Sequence, residues 1–417
     1  MRVVMLTWEY PPAQVGGISP HVLGLSRALV RRGVAVDVLT RAAPGAAGVA
    51  EEDGVRVHRV HPYFGNALDF PGWIMHLNFA LAEAGIRLLG RSALQPPAGG
   101  AAEDEVVLHA HDWVTAYAGR LLKHAFRLPL VATVHATEHG RMRGLHHAGH
   151  KYIHDVEWWL TYEAWRVITC SRAMQHEVRR LFGLPEDKVR VVPNGIDVPP
   201  HAERLPEGAP PREFFAAPWE RIVYHLGRLV PEKGAGVLLE AFPDVLAAFP
   251  EAKLVIAGGG PWEGELRARA AALGLGPKVY FTGYLQDPAR WALFHYADVA
   301  VFPSTYEPFG IVALEAMTAG TPLVVSDVGG LAELVEHGVD GRKALPGHPD
   351  SLAEQIKAAL ADPAGSREMA RRAREKVAAR YTWSSVARAT AAIYEEVLRE
   401  WRQSPWVEPP RAGQPAG

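Results

Sequence analysis

Short apolar runs alternate with helical periodicity twice along this chain of 417 residues, and one proline-rich stretch separates the two rounds. In the first half, Val3–Thr7, Val34–Thr40, Val55–Val60, Glu105–His109, Leu130–Val134, Val167–Ser171 and Val189–Val192 are strand-length runs. Helical stretches fill most gaps, beginning with Ser19–Arg32, which stops at Gly33. Continuous rather than alternating apolar runs describe strands covered on both faces, as in a parallel sheet. The alternation therefore predicts a doubly wound α/β domain. Residues 199–218 carry Pro199, Pro200, Pro206, Pro210, Pro211 and Pro218 without a period, and read as an interdomain connection. The pattern then restarts with strands at Arg221–Leu226, Lys253–Ala257, Val279–Thr282, Asp298–Phe302 and Leu323–Ser326, and a helix over Gly236–Phe249. Helices near Ser351–Leu360, Ser366–Tyr381 and Trp383–Trp401 follow without strands. The expected division is a first domain over 1–198, the connection over 199–218 and a second domain over 219–380. A last helix over 381–403 and a tail over 404–417, too rich in Pro, Gly and Ala to order, complete it. Ala93–Glu105 reads as a low-complexity surface loop.

Composition excludes several classes. Hydrophobic content of 48% with 22% charged residues describes an ordinary globular protein, and a net charge of −2 offers no broad attraction to nucleic acid or anionic lipid. The single cysteine, Cys170, excludes an internal disulfide and fits a reducing compartment. Its neighbours Arg166–Ser171 make it a core thiol rather than a nucleophile. Met1–Tyr10 turns polar too soon for a signal peptide, and no apolar run reaches the ~18 residues a membrane span needs, so a cytoplasmic location is expected. Trp73–Leu89 is amphipathic but carries only Arg87 as a fixed positive charge, which is too little for a membrane-surface helix.

In doubly wound sheets ligands bind at the carboxyl ends of strands, and the notable motifs fall there. The densest is Ser304–Glu315, after the strand Asp298–Phe302 and leading into a helix that ends near Gly320-Thr321-Pro322. Pro308 biases Glu307 to an extended conformation. Gly310 permits close approach to the backbone. The N–H groups of Gly310, Ile311 and Val312 lie at a helix start, which is an anion site. Glu315 sits one turn further in. A carboxylate, an anion site and a second carboxylate suit a sugar, a diphosphate and a ribose. The plainer alternative is a surface loop with two scattered glutamates.

The other candidates are less specific singly. Gly16-Gly17, after the first strand, presents N–H groups to a phosphate or sugar, or simply makes a turn. Asp112 in His109-Ala-His-Asp-Trp113 projects from a strand end toward sugar hydroxyls, or caps the Trp113–Ala125 helix. His135 ends Leu130–Val134, placed for a substrate hydroxyl or satisfied structurally. Arg228 and Lys233 in Gly227–Gly234 converge on one phosphate, or form a solvated basic loop. Gly258-Gly-Gly-Pro261 suits a nucleotide lying over the backbone, and Gly283-Tyr284 is placed to flank a base. His146, His150 and His154 share a spacing that aligns them on one helix face, with His147 beside them. No carboxylate or cysteine completes a metal motif there. No Asp-x-Asp occurs, so a carboxylate-held divalent cation is not expected.

Gly16-Gly17, His135, Pro193-Asn-Gly-Ile-Asp197, Arg228 with Lys233, and Glu307-x7-Glu315 stand in the order seen in retaining GT-B glycosyltransferases of family 4. This resemblance spans about residues 3–400. The segments His109–Trp113, His135–Arg141 and Tyr152–Glu163 look like archaeal and bacterial glycogen synthases. The resemblance implies two Rossmann-like domains facing a cleft, with the nucleotide held mainly by the second and the C-terminal helix packed back on the first. It further implies that Arg228 and Lys233 bind the diphosphate, Glu307 the donor sugar's hydroxyls and Glu315 the ribose. His135 contacts the donor sugar near the reacting centre, and Asp112 and Asn194 line the sugar site. Gly16, Gly17, Tyr284, Phe309, Gly310, Ile311 and Val312 complete the donor site. The glycine loop departs from glycogen synthases: it reads Gln14-Val-Gly-Gly-Ile18, without their lysine, which leaves the donor open between ADP-glucose and UDP-glucose.

The expected activity is transfer of glucose from ADP-glucose or UDP-glucose to the non-reducing end of an α-1,4-glucan, with retention and without a cofactor or metal. The rivals are a glucosyltransferase for a small sugar or sugar phosphate and an inactive sugar-nucleotide-binding module. The expected partners are these small molecules, with no nucleic acid and no membrane.

Overall fold

The computed structural model describes residues 1–13, 16–65, 69–94, 105–198 and 204–407. These fall into two compact units, Met1–Gly195 together with Trp383–Gly417, and Ile196–Thr382.

In chain order the first unit holds β1 (Arg2–Leu6), α1 (Ile18–Val30), β2 (Ala35–Arg41), β3 (Gly48–Glu52), β4 (Val55–Val60), α2 (Phe70–Leu94) and β5 (Val106–His111). Then come α3 (Ala116–Phe126), β6 (Leu130–Val134), α4 (Glu138–Met142), α5 (Ala148–Glu163), β7 (Arg166–Thr169), α6 (Arg172–Phe182) and β8 (Val189–Val191). The sheet order is β3-β4-β2-β1-β5-β6-β7-β8, parallel except for the β3–β4 pair. β1 and β5 are buried throughout, as strands covered on both faces require. β2 lies on one side of β1 and β5 on the other. The chain reverses its winding there, and the crevice above such a point is where ligands settle.

β3 is an addition to the sequence reading. Its residues are almost all exposed, so no apolar pattern marks it. The turn Asp53-Gly54 that joins it to β4 has positive φ at both residues (51° and 79°), the mark of a two-residue hairpin, and Asp-Gly is a sequence signal for it.

The C-terminal helix Trp383–Arg402 belongs to this first unit and packs against α1. It places Trp383, Val386, Tyr394, Val397 and Leu398 in one apolar core with Val22, Leu25 and Leu29 of α1 and Val3 and Met5 of β1. Cys170 is a buried free thiol. Of the expected tail, Ser404–Val407 is described and folds as turns, while 408–417 lies outside the described residues, as do 95–104 of the expected surface loop.

The second unit holds β9 (Arg221–Leu226), α7 (Ala235–Ala248), β10 (Ala252–Ala257), α8 (Glu263–Ala272), β11 (Val279–Gly283), α9 (Asp287–Tyr296) and β12 (Val299–Phe302). It continues with α10 (Ile311–Ala319), β13 (Leu323–Ser326), α11 (Gly329–Leu334), β14 (Arg342–Ala344), α12 (Pro349–Ala361) and α13 (Pro363–Arg380). All neighbours in the sheet β11-β10-β9-β12-β13-β14 are parallel, and the winding reverses between β9 and β12.

The proline-rich stretch is not a free connection. Its described part, 204–218, lies within the second unit: Phe215 and Ala216 are buried, and the Tyr296 hydroxyl donates to the Pro210 carbonyl at 3.1 Å. Pro199 and Pro200 lie outside the described residues. Apolar Phe214-Phe215 within the stretch is the signal that the proline count hid. Among the described residues, no helix is long and apolar enough to cross a membrane.

Candidate active site

The loops after β9 and β12, which flank the reversal point of the second sheet, carry the central residues of this unit. Lys233, ending the loop after β9, reaches the loop after β12 and donates to Glu307 Oε2 at 2.6 Å. Ser304 Oγ donates to the same oxygen at 3.2 Å. The Glu307 carbonyl accepts from Gly330 N–H at 2.8 Å, so the start of α11 fixes the loop from the other side. These groups line a small cavity with His225, Gly227, Gly310, Val312 and Leu331.

Gly310 has φ +104°, and a Cβ there would stand 2.6 Å from Leu331 Cδ2, so only glycine fits at this entry to α10. No side chain caps α10. Its first N–H groups, with the positive end of the helix dipole, lie where the loop that carries Glu307 enters the helix, and Lys233 reaches that loop from the loop after β9. A helix start of this kind suits an anion, and here it stands beside the Lys233–Glu307 ion pair.

Glu315 is one turn into α10 and half-buried. Its Oε1 accepts from Arg290 of α9 at 2.6 Å, and its Oε2 has no hydrogen-bond partner. Burial pushes its carboxyl above the usual range, with Arg290 opposing. Arg290 is a residue the sequence reading missed, because nothing in spacing ties it to a carboxylate 25 positions later. Arg228 is half-exposed and lies 3.6 Å from Glu232, while Lys233 is engaged by Glu307, so the two cations hold separate carboxylates in this structure.

The glycine run after β10 differs from expectation. A Cβ at Gly258 would stand 1.9 Å from the Gly227 carbonyl oxygen, and one at Gly260 would stand 2.4 Å from that of Leu229. The Leu229 N–H donates to Gly259 O at 2.9 Å. The run is shaped by packing of the β10 loop on the Gly227–Lys233 loop, which positions Arg228 and Lys233. Tyr284, past β11, is 82% exposed, so its ring has an open face. Phe309 is buried and sits 6.0 Å, centroid to centroid, from Tyr381, so its contribution to the loop after β12 is packing.

In the first unit, His111 ends β5, His135 follows β6 and His21 sits in the first turns of α1. His111 Nδ1 and His135 Nε2 are 3.1 Å apart, and the rings of His21 and His135 meet edge to face at 4.7 Å. Asn194 Oδ1 accepts from His21 Nδ1 at 2.8 Å. Burial lowers all three imidazoles, His135 to about 4 and His21 to about 3, so they are neutral near pH 7.

Asp112 is turned inward. It has φ +60°, makes no side-chain cap bond, and its Oδ1 accepts from the His135 N–H at 2.7 Å. Neither sequence reading described this: the carboxylate holds the backbone at His135 instead of projecting from the strand or capping a helix. Burial pushes Asp112 up to about 6 and the nearby Glu157 up to about 8, with Arg141 opposing both. Glu157 Oε1 accepts from Glu138 N–H at 2.8 Å. Gly16 donates its N–H to Glu9 Oε2 at 2.7 Å, so an internal carboxylate occupies the group expected to meet a ligand. Gly17 starts α1 without a side-chain cap. Gln14 and Val15 of that loop lie outside the described residues.

The histidine run His146, His147, His150 and His154 is not a single helix face. α5 begins at Ala148, with His147 as its N-cap accepting from Gly149 and His150 N–H groups, and His146 lies before it, bonded to the Met142 carbonyl. His154 packs on Phe182 instead.

Comparison with known proteins agrees with this architecture. Residues 15–199 match the family described as Glycosyltransferase Family 4, and residues 212–377 match Glycosyl transferases group 1. A glycogen synthase of Mycobacterium tuberculosis is 38% identical, over 97% of this chain and 96% of that protein. An α-maltose-1-phosphate synthase of the same organism is 31% identical, over 95% of this chain and all of that one. Among solved structures, sucrose-phosphate synthase from Thermosynechococcus elongatus superposes with a TM-score of 0.79 at 24% identity, covering 96% of this chain and 99% of that one. Two parallel-sheet units, matches to both halves and a full-length relative at 38% identity together place this chain in the GT-B glycosyltransferases, among the family 4 enzymes.

Proposed function

We propose that this protein is a retaining glucosyltransferase that moves glucose from ADP-glucose or UDP-glucose to the non-reducing end of an α-1,4-glucan. The observation that carries the reading is the 38% identity to a glycogen synthase along nearly the whole chain. In this reading Arg228, Lys233 and the N–H groups of Gly310, Ile311 and Val312 hold the diphosphate and stabilise the charge that grows on it. Glu307 orients the donor sugar's hydroxyls, Glu315 accepts from the ribose, and Tyr284 flanks the base. His135, set by Asp112, meets the sugar near its reacting carbon, with Asn194, Gly16 and Gly17 alongside. The acceptor hydroxyl attacks on the face from which the nucleotide departs, and the leaving phosphate oxygen takes its proton. No divalent cation is needed, because the cationic side chains and the helix start supply the counter-charge.

A second reading, transfer to a small sugar phosphate, is favoured by the 31% identity to α-maltose-1-phosphate synthase. The test offers ADP-glucose and UDP-glucose with glycogen, maltooligosaccharides, glucose and glucose 1-phosphate. Extension of glucans with an α-1,4 linkage supports the first reading, and turnover confined to glucose 1-phosphate replaces it with the second. No turnover of any donor leaves a binding module. Chelation with EDTA should leave the rate undiminished; a loss restored by Mg²⁺ or Mn²⁺ would refute the cation-free chemistry.

A further inference from the structure

The three histidines at the strand ends of the first unit are arranged for more than hydrogen bonding. One ring nitrogen from each of His21, His111 and His135 lies within 4.8 Å of the other two, and among the described residues this is the group of potential metal ligands that meets that spacing. His21 is 4% exposed. Its Nδ1 is bonded to the Asn194 side-chain oxygen, which only accepts, so the proton is on Nδ1 and the lone pair on Nε2. That Nε2 is buried and has no hydrogen-bond partner. A buried acceptor left unpaired is costly, and an imidazole with one nitrogen anchored to an amide oxygen and the other bare is the form in which histidine binds metals. The 3.1 Å between His111 Nδ1 and His135 Nε2 is near the edge of a tetrahedral zinc shell, roughly 3.3 Å for bonds of about 2.0–2.1 Å.

We propose that His21, His111 and His135 bind a borderline divalent transition-metal ion such as Zn²⁺, with Asn194 orienting His21. The set contains no carboxylate, so it selects against Mg²⁺ and Ca²⁺, which want oxygen. It contains no thiolate. Three imidazoles leave a fourth tetrahedral position for water, as in open zinc sites. His135, half-buried at the end of β6, is the ligand with room to close the remaining gap. Neutral imidazoles need release no proton to bind. Binding does not depend on the proposed function. Its consequence does: an ion on His135 removes that ring from the donor sugar, so Zn²⁺ inhibits transfer and a chelator restores it.

The test titrates chelator-treated full-length protein with Zn²⁺ by calorimetry. Three forms are compared: the unsubstituted protein, His135→Ala, and a surface variant carrying His146→Ala, His147→Ala and His150→Ala. A single site kept by the surface variant, weakened at least tenfold in His135→Ala and blind to Mg²⁺, is expected. Equal zinc binding by His135→Ala and the unsubstituted protein, loss in the surface variant, or no binding at all overturns the proposal. Zinc-edge X-ray absorption on the surface variant decides the matter if His135→Ala fails to fold: a three-imidazole shell is expected, and a shell with fewer imidazoles overturns it. Since these readouts do not use turnover, they stand apart from any failure of the glucosyltransferase assignment.

Discussion

Glu307 and Glu315 lie eight positions apart in one motif, and their surroundings differ, so their proposed roles can be tested separately. Glu307 borders a cavity and shares one oxygen with Lys233 and Ser304. Glu315 lies half-buried against Arg290, with its second oxygen covered and bare of a hydrogen-bond partner. Glu307→Gln should therefore lower turnover by about 10²-fold or more, because misplaced reacting atoms are expensive. Glu315→Gln should mainly weaken nucleotide binding, by about 1–3 kcal/mol. Calorimetry with the nucleotide and glucan extension separate the two, and near-normal turnover in Glu307→Gln would take that residue out of the sugar site. Both glutamates could be picked out as candidates because they lie in one short motif. Arg290, His21 and His111 were not, since the packing of separate elements rather than sequence spacing brings them to their partners. Glu157 was missed for the same reason, and it carries a pH signature. Burial holds it near 8, above its unfolded value, so the stability it contributes is full at acid pH and is lost as pH rises toward 8. Glu157→Gln removes the charge while keeping the shape. Between pH 5 and pH 8 it should gain on the unsubstituted protein by more than about 1 kcal/mol in denaturant unfolding. Parallel pH dependences would mean that Glu157 ionises freely in the fold.

At the level of elements, the sheets were readable because parallel strands need apolar residues on both faces, and Arg2–Leu6, Leu130–Val134 and Val299–Phe302 show it. The strands that escaped, β3 and β14, are edge strands; β3 has no buried residue and β14 only Ala344, so neither carries such a run. Loops were harder, since a glycine can serve a ligand or a neighbouring backbone. Gly258 and Gly260 proved to serve the Gly227–Lys233 loop. Gly310 serves the start of α10, and its substitution is the sharper probe. Gly310→Ala forces a side chain into the left-handed region, at about 1–2 kcal/mol, and drives its Cβ against Leu331. The first turn of α10 must shift, and its N–H groups leave the anion position. Affinity for the nucleoside diphosphate should fall at least tenfold. Unchanged affinity, with the variant folded by circular dichroism, would show that the helix start does not hold the diphosphate.

The molecule as a whole depends on its last helix in a way that the order of elements does not suggest. The second unit is one continuous segment, Ile196–Thr382, whereas the first is assembled from Met1–Gly195 and a return of the chain after Thr382. Val386, Ile393, Tyr394, Val397 and Leu398 are buried in the same core as β1 and α1. The Tyr394 hydroxyl also bonds His109 Nδ1 at 2.7 Å, which ties this helix to the strand that carries His111. Large apolar side chains are worth about 1.5–3 kcal/mol each when buried. Five of them match the whole margin of a typical domain, about 5–15 kcal/mol. Ending the chain at Thr382 should therefore unfold the first unit and spare the second. Hydrogen exchange would show amides of β1 and β5 unprotected while those of β9 and β12 keep their protection. A separate 196–382 segment should unfold cooperatively and retain nucleotide binding. If β1 and β5 stayed protected in the shortened chain, the helix would be an accessory covering, and the first core would be complete without it.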